Sequence, residues 1–188
     1  LLAGNTFCLL IFLLALTLYE GATPVSRQRV TWLQRGAALL LVIVVPLQLA
    51  LGGLVSSSHA GLACGTWPGC NGDVWFPTFS GLIGLQITHR ITAYVLLAAA
   101  LVMVAVTRAR GRMGRASLLV AGLVLIQGAL GVANVFLHLK AEITLAHTAG
   151  AAAIVLATTL LNWEAWRAPV TAVAPASASL PQPARDLA

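Results

Sequence analysis

The chain alternates five long apolar segments with shorter polar connections. Each apolar segment has the roughly 20 residues that an α-helix needs to cross a bilayer, or nearly so. None shows the period-two alternation of a transmembrane β-strand, which argues against a barrel. The pattern therefore predicts an all-α polytopic membrane protein, a four-helix transmembrane bundle plus one additional N-terminal transmembrane helix. The predicted spans are residues 1–19, 37–55, 81–106, 116–137 and 143–161.

Composition strengthens the membrane assignment. The chain is 59% hydrophobic and 9% charged, whereas a typical soluble domain has roughly 25% charged residues. Its formal net charge of +6 raises the question of whether the chain binds nucleic acid. The arginines are too few and too localised for a nucleic-acid-binding face, so we expect the lipid bilayer, and no nucleic acid, as partner.

The positive charges set an expected orientation, because cytoplasmic loops collect Lys and Arg. Residues 56–80 carry only Asp73, and residues 138–142 pair Lys140 with Glu142. The first connection, the third connection and the tail hold the arginines, so the loop 56–80 is predicted outside and the C-terminus in the cytoplasm. These arginines are Arg27, Arg29, Arg35, Arg108, Arg110, Arg112, Arg115 and Arg167.

The same orientation suggests a domain division. Five spans with a cytoplasmic C-terminus put the N-terminus outside, and the chain starts at Leu1 within an apolar run, so we expect a missing upstream portion. Residues 1–19 are then the last helix of a preceding bundle, 20–36 a cytoplasmic linker, and 37–167 a four-helix bundle. Residues 168–188 are rich in Ala, Pro and Ser and are expected to form a disordered cytoplasmic tail.

Two histidines inside apolar spans are the strongest chemical signal. His89 and Arg90 lie side by side in one span, and His147 lies in a later span of the same predicted direction. Ionisable groups at such positions are costly and usually functional. Imidazoles from two helices of a bundle can hold a haem iron between them, and Arg90 can pair with a haem propionate. The alternative is that the histidines hydrogen-bond between helices while Arg90 extends to the membrane surface.

Small residues follow both histidines at helical spacing. Ala93 lies four residues after His89, while Gly150 and Ala151 lie three and four residues after His147. Residues at these spacings share a helix face. We therefore expect them to leave room for the haem ring.

The outer loop contains a cysteine pair. Cys64 and Cys70, with five residues between them, lie on the predicted non-cytoplasmic side, where disulfides persist. We predict a disulfide that closes a small loop, against the alternative of two unpaired thiols. A zinc site is less favoured because only His59 is nearby and a fourth ligand is missing. Cys8, inside the first span, is interpreted as a small apolar residue.

Other polar residues are given structural roles. His59 and His138 fall in or beside the outer connections and are expected to be solvated, without an assigned role at the cofactor. Gln48, Gln127 and Asn134 lie in apolar surroundings. Amide side chains there more often bridge helices than perform chemistry.

Several short motifs follow one another in a characteristic order. They are Gly4-Asn-Thr-Phe7, Gly52-Gly-Leu-Val55, His59-Ala-Gly-Leu-Ala-Cys64, Trp67-Pro-Gly-Cys70-Asn-Gly72, Thr88-His89-Arg90, Gly128-Ala-Leu-Gly-Val-Ala-Asn134 and Leu145-Ala-His147. In this order and spacing the chain resembles the haem A synthase family of cytochrome oxidase assembly proteins.

The resemblance implies an architecture and a cofactor. Members of the family have two similar four-helix bundles, so the chain would contain the end of the first and the whole second. The second bundle holds haem b on two histidines, which match His89 and His147, and its outer loop has a cysteine pair, which matches Cys64 and Cys70 as a structural or redox-active bridge. The implied location is the bacterial cytoplasmic (inner) membrane.

The resemblance also implies a reaction. A methyl group of haem O, bound in the first bundle, is oxidised by successive hydroxylations and loss of water to a formyl group, giving haem A for cytochrome c oxidase. Haem O is then the substrate. Haem O synthase, an electron donor and a second copy of the chain are candidate partners.

Two positions depart from the family pattern. Gln86 stands three residues before His89, where the first bundle has a glutamate, and it cannot ionise. Leu2 stands three residues before Asn5, where the first bundle often has a ligand histidine, so either the alignment shifts or that ligand is absent. No catalytic residue is assigned here, and the chain alone is expected to bind haem without completing the reaction.

Two other functions remain open from the sequence. One is a haem b electron-transfer membrane subunit, which would use the same histidines without substrate chemistry. The other is a haemless transporter or assembly factor. A preceding homologous bundle in the full-length protein would favour the synthase.

Overall fold

The computed structural model describes residues 2–23 and 25–170. Its five helices are α1 (Leu2–Ala22), α2 (Trp32–Ser57), α3 (Gly81–Thr107), α4 (Gly111–Phe136) and α5 (Ala141–Arg167), and a 3₁₀ turn covers Ala60–Leu62. All five helices are long and apolar enough to cross a membrane. The described residues contain no named strand, and one isolated bridge joins Val30 to Val170. The all-α polytopic prediction is confirmed.

Several helices extend beyond the apolar spans that predict them. α2 begins at Trp32 because Thr31 and Gln34 form a capping box: the Thr31 hydroxyl accepts from the Gln34 N–H, and the Gln34 side chain accepts from the Thr31 N–H. Such a box satisfies backbone donors that a helix start leaves free. α4 and α5 likewise include charged turns, starting at Gly111 and ending at Arg167.

Helices α2 to α5 form the bundle. Each packs against two neighbours in the ring α2–α3–α4–α5, while α3 and α5 lie on one diagonal and α2 and α4 on the other. α1 lies outside the ring, mainly against α5. The core mixes alanines with branched side chains, and small residues let helices approach closely in a membrane.

The two ends of the bundle differ in character. At one end, here called the loop end, α3 and α5 begin after residues 58–80 and 137–140. At the other, the charged end, α2 and α4 begin and α3 and α5 finish. Arg35 joins elements there: its guanidinium donates to the carbonyls of Ala165 and Ala168 and lies about 5 Å from the Trp32 and Trp166 rings.

The predicted tail lies mostly outside the described residues. Residues 171–188 belong to the predicted disordered tail and are not described. Residues 168–170 are described, and Val30 N–H donates to the carbonyl of Pro169 at 2.9 Å. The start of the predicted tail is therefore joined to the linker before α2.

Candidate functional site

The two candidate ligand histidines occupy diagonal helices near the loop end. His89 lies eight residues after Gly81, where α3 begins, and His147 six residues after Ala141, where α5 begins. At 1.5 Å per residue these positions are about 12 Å and about 9 Å into the helices. Both side chains are half-buried. The helix starts thus carry both imidazoles into the same half of the bundle, as the spans predicted.

The imidazole rings of His89 and His147 lack hydrogen-bond partners within the described part of the protein. In the described part of the chain neither ring takes part in a hydrogen bond, and the Nδ1 atoms of His89 and His147 are both buried without one. Buried polar atoms are nearly always paired, so two orphaned rings on facing helices need an explanation. The interhelical hydrogen bonding considered as an alternative is not made by these rings. Two unpaired imidazoles fit the axial ligand set of a bis-histidine haem.

Two glutamines hold the backbone of the histidines. Gln48 on α2 donates from Nε2 to the carbonyl of His89 at 3.2 Å, and Gln127 on α4 donates from Nε2 to the carbonyl of His147 at 2.8 Å. Asn134 similarly joins α4 to α5, accepting from the Thr144 hydroxyl at 3.0 Å. The predicted helix-bridging role of these three amides is confirmed.

A glycine faces each ring from the same helix as the glutamine. A Cβ atom at Gly52 would lie 3.1 Å from Cε1 of His89, and one at Gly131 would lie 3.4 Å from Cε1 of His147. Each glycine follows its glutamine by four residues, one helical turn. Both glycines belong to the short motifs of the chain, but no role beside the histidines was predicted for them. The repeated spacing Gln48 to Gly52 and Gln127 to Gly131 was the signal that could have found them.

The surroundings of the two glutamines differ at the residue three positions after each histidine, which is Thr92 in α3 and Gly150 in α5. The Thr92 hydroxyl donates to Gln48 Oε1. Gly150 occupies the matching position, and the Gln127 Oε1 atom fills the space that a Gly150 side chain would need. Gly150 was expected to clear a haem ring. The structure shows instead that it makes room for the Gln127 amide, whose Oε1 is buried without a hydrogen-bond partner.

Arg90 contacts residues 64–70, here called the cysteine loop. Its NH1 donates to the carbonyls of Thr66 and Gly69 at 2.9 and 3.1 Å, and its NH2 donates to the carbonyl of Cys64 at 2.9 Å. Cys64 and Cys70 are joined with an Sγ–Sγ distance of 2.04 Å, and both are buried. The sulfurs are therefore bonded to each other and not placed as zinc ligands. The propionate role of Arg90 stays a prediction.

The remaining candidates lie around this loop. Gln86 is buried and donates from Nε2 to the carbonyl of Gly61 at 3.3 Å, so its amide supports the turn at Ala60–Leu62. His59 and His138 are exposed and adopt left-handed φ values of 59° and 51°. Both stand at chain reversals at the loop end.

The chain is similar to known proteins over most of its length. A family model described as cytochrome oxidase assembly protein matches residues 1–159. The chain is 33% identical to a heme A synthase of Chelativorans sp. (strain BNC1), over 86% of the chain and 48% of the relative. It is 36% identical to a heme A synthase of Caulobacter vibrioides, over 88% of the chain and 51% of the relative.

The chain thus spans about half the length of the curated relatives it matches. The family match itself covers most of the chain, including α1 to α4 and the His147 region of α5. The chain belongs to the cytochrome oxidase assembly protein family.

Proposed function

We propose that the chain supplies the b-haem-binding half of a haem A synthase, whose whole-protein reaction oxidises a methyl group of haem O to a formyl group. The observation that carries the proposal is the pair of half-buried imidazoles on diagonal helices, with Nδ1 of each buried and unpaired. The names of the relatives in Chelativorans and Caulobacter support the reaction. The activity is assigned to the whole protein, because the relatives are about twice as long as this chain.

Axial ligation is assigned to His89 and His147. Gln48 and Gln127 hold the backbone carbonyls of these residues, which fixes each helix turn relative to its neighbour. Gly52 and Gly131 let the adjacent helices approach the rings. Bound haem b supplies one-electron redox chemistry, tuned by its axial ligands and burial.

Arg90 can serve the loop and the cofactor together. A guanidinium has five N–H donors, and loop carbonyls accept three hydrogen bonds from Arg90. The two remaining donors can pair with a propionate. We therefore assign Arg90 as the residue that fixes the cysteine loop over the haem edge.

The disulfide is assigned a structural role. Cys64 and Cys70 are 0% and 1% exposed, and thiol–disulfide exchange requires access to a sulfur atom. Their bond closes the loop whose carbonyls Arg90 binds. The loop is proposed to cover the loop end of the bundle.

We also propose the arrangement in the membrane. Residues 37–167 form the haem bundle, and residues 1–19 belong with a preceding bundle, which the peripheral position of α1 supports. The arginines of the charged end face the cytoplasm of a bacterial inner membrane under the positive-inside rule. Haem O synthase, an electron donor and a second copy of the chain are candidate partners.

Conversion of haem O to haem A in cells tests this function. The full-length protein is expressed with His89→Ala, His147→Ala or His138→Ala, and the extracted haems are separated by chromatography. We expect haem A to be lost in the first two variants and retained with His138→Ala, since His138 is exposed. Normal haem A in both ligand variants would contradict the assignment. Bound haem without haem A formation by the wild type would favour an electron-transfer subunit.

A further inference from the structure

A second feature lies at the charged end, away from the histidines. A cavity of about 60 Å³ opens between the linker, the end of α3, the start of α4 and the end of α5. A single water needs about 10–15 Å³ by the same measure, so the space admits a larger group. The ionisable residues of its lining are Arg27, Arg29, Arg110, Arg112 and Glu164.

The lining carries more positive than negative charge. Glu164 is 4% exposed and contacts Arg27 at 3.3 Å and Arg112 at 2.8 Å. Arg29 and Arg110 have no acidic partner among the described residues. The buried Nε atom of Arg27 belongs to the 3.3 Å ion pair with Glu164 Oε2, and the same guanidinium also pairs with Glu20. Four guanidiniums meet two carboxylates, because Arg27 also pairs with Glu20 outside the lining. In the described part of the chain, the positive charge without a carboxylate partner is carried by Arg29 and Arg110.

The start of α4 adds backbone donors. Arg110 is the N-cap of α4, no side chain caps this helix, and its first turn has no acidic residue. Arg112 and Met113, from that first turn, line the cavity. Helix starts carry unsatisfied N–H groups and a partial positive charge, which favours bound anions.

We propose that this cavity binds a phosphate group. Guanidinium forks match phosphate oxygens in geometry and charge, and among the described residues Arg29 and Arg110 have no carboxylate partner that would compete with an anion. The cavity lies at the ends of membrane-spanning helices, the level at which lipid phosphates occur. Anionic lipid headgroups bind basic pockets of this kind, and a soluble phosphate offers the same chemistry.

Binding of phosphatidylglycerol to the purified chain in detergent tests the proposal. Phosphatidylcholine and inorganic phosphate serve as comparison probes, and bound lipid is counted by mass spectrometry of the intact protein. The double variant Arg29→Gln with Arg110→Gln removes two lining charges outside the Glu164 ion pairs. The control double variant Arg108→Gln with Arg115→Gln removes two charges at the same end that do not line the cavity.

We expect about tenfold weaker phosphatidylglycerol binding in the first double variant and less than about twofold change in the control. Restoring charge with Arg29→Lys and Arg110→Lys should recover much of the binding. Competition by inorganic phosphate would assign the site to a soluble phosphate, and its absence to a lipid. Equal loss in both double variants, or no preference over phosphatidylcholine, would overturn the proposal. Haem spectra report separately on the histidine site.

Discussion

Single glycines set how closely the helices approach the candidate ligands. We predict that Gly52→Ala lowers haem occupancy, because its Cβ would lie 3.1 Å from the His89 ring and force the ring or helix to move. Overpacking of this kind costs on the order of 1–3 kcal/mol. Gly131→Ala, at the ordinary contact distance of 3.4 Å from the His147 ring, should stay close to wild type. The ratio of haem to protein in purified samples measures the effect of each substitution. Equal losses of haem in the two variants would contradict the difference expected from the two Cβ distances.

Gly150 supports a neighbouring amide instead of a cofactor. A Cβ atom added at Gly150 would overlap the Gln127 Oε1 atom, so Gly150→Ala must displace the amide and disturb its 2.8 Å bond to the His147 carbonyl. We expect the melting temperature in detergent to fall, with a loss of about 1–3 kcal/mol. Gly128→Ala is the matched control because, apart from its own helix backbone and chain neighbours, no atom of the described residues lies within 4 Å of its added Cβ. A similar melting temperature for both variants would refute the packing argument.

Residue types predicted much of this site. Histidines inside apolar spans indicated ligands, and amides in the same surroundings indicated helix bridges, because a buried polar group must find a partner. The glycines opposite the rings were missed, since a glycine carries no chemistry and its neighbours are known only after helices pack. Gly150 was assigned to the wrong neighbour for the same reason.

Among the elements, the cysteine loop depends on α3 through Arg90. We predict that Arg90→Gln increases hydrogen exchange in residues 64–70, because three carbonyl acceptors lose their charged donor. Hydrogen bonds to charged groups contribute about 1.5–3 kcal/mol each. Lys140→Gln, which removes an exposed charge at the same end, should leave the exchange unchanged. Unchanged exchange in Arg90→Gln would mean that the disulfide alone orders the loop.

Element boundaries show where apolar patterns stop being informative. The runs of apolar residues predicted each helix, because spanning a bilayer requires length and hydrophobicity. They predicted α2 to begin at residue 37, five residues late, because the capping box at Thr31 is polar. The charged turns that extend α4 and α5 were missed in the same way. These turns form the charged end, so the cavity proposed to bind phosphate lies outside the predicted spans.

At the scale of the whole molecule, two carboxylates tie α1, the linker, α4 and α5 together. Glu20 pairs with Arg27 and Arg167 and accepts from the Trp163 indole, while Glu164 pairs with Arg27 and Arg112. We predict that Glu164→Gln lowers the free energy of unfolding by about 1.5–3 kcal/mol, because Arg112 loses its charged acceptor and the buried Arg27 keeps only Glu20 as a charge partner.

Thermal unfolding in detergent measures this loss. Glu142→Gln, an exposed first-turn position of α5 at the opposite end, is the control and should change little. A stability for Glu164→Gln equal to that of this control would show that the network does not hold the charged end together.

The pairing of His89 with His147 across the bundle is the central claim, and the reduced-minus-oxidised visible spectrum tests it most directly. We predict sharp b-type bands in the purified wild type and in His138→Ala, and loss of these bands in His89→Ala and in His147→Ala. All four proteins should keep the same helical circular dichroism. A wild type with intact helices and no haem bands, or bands that persist in both ligand variants, would contradict the account.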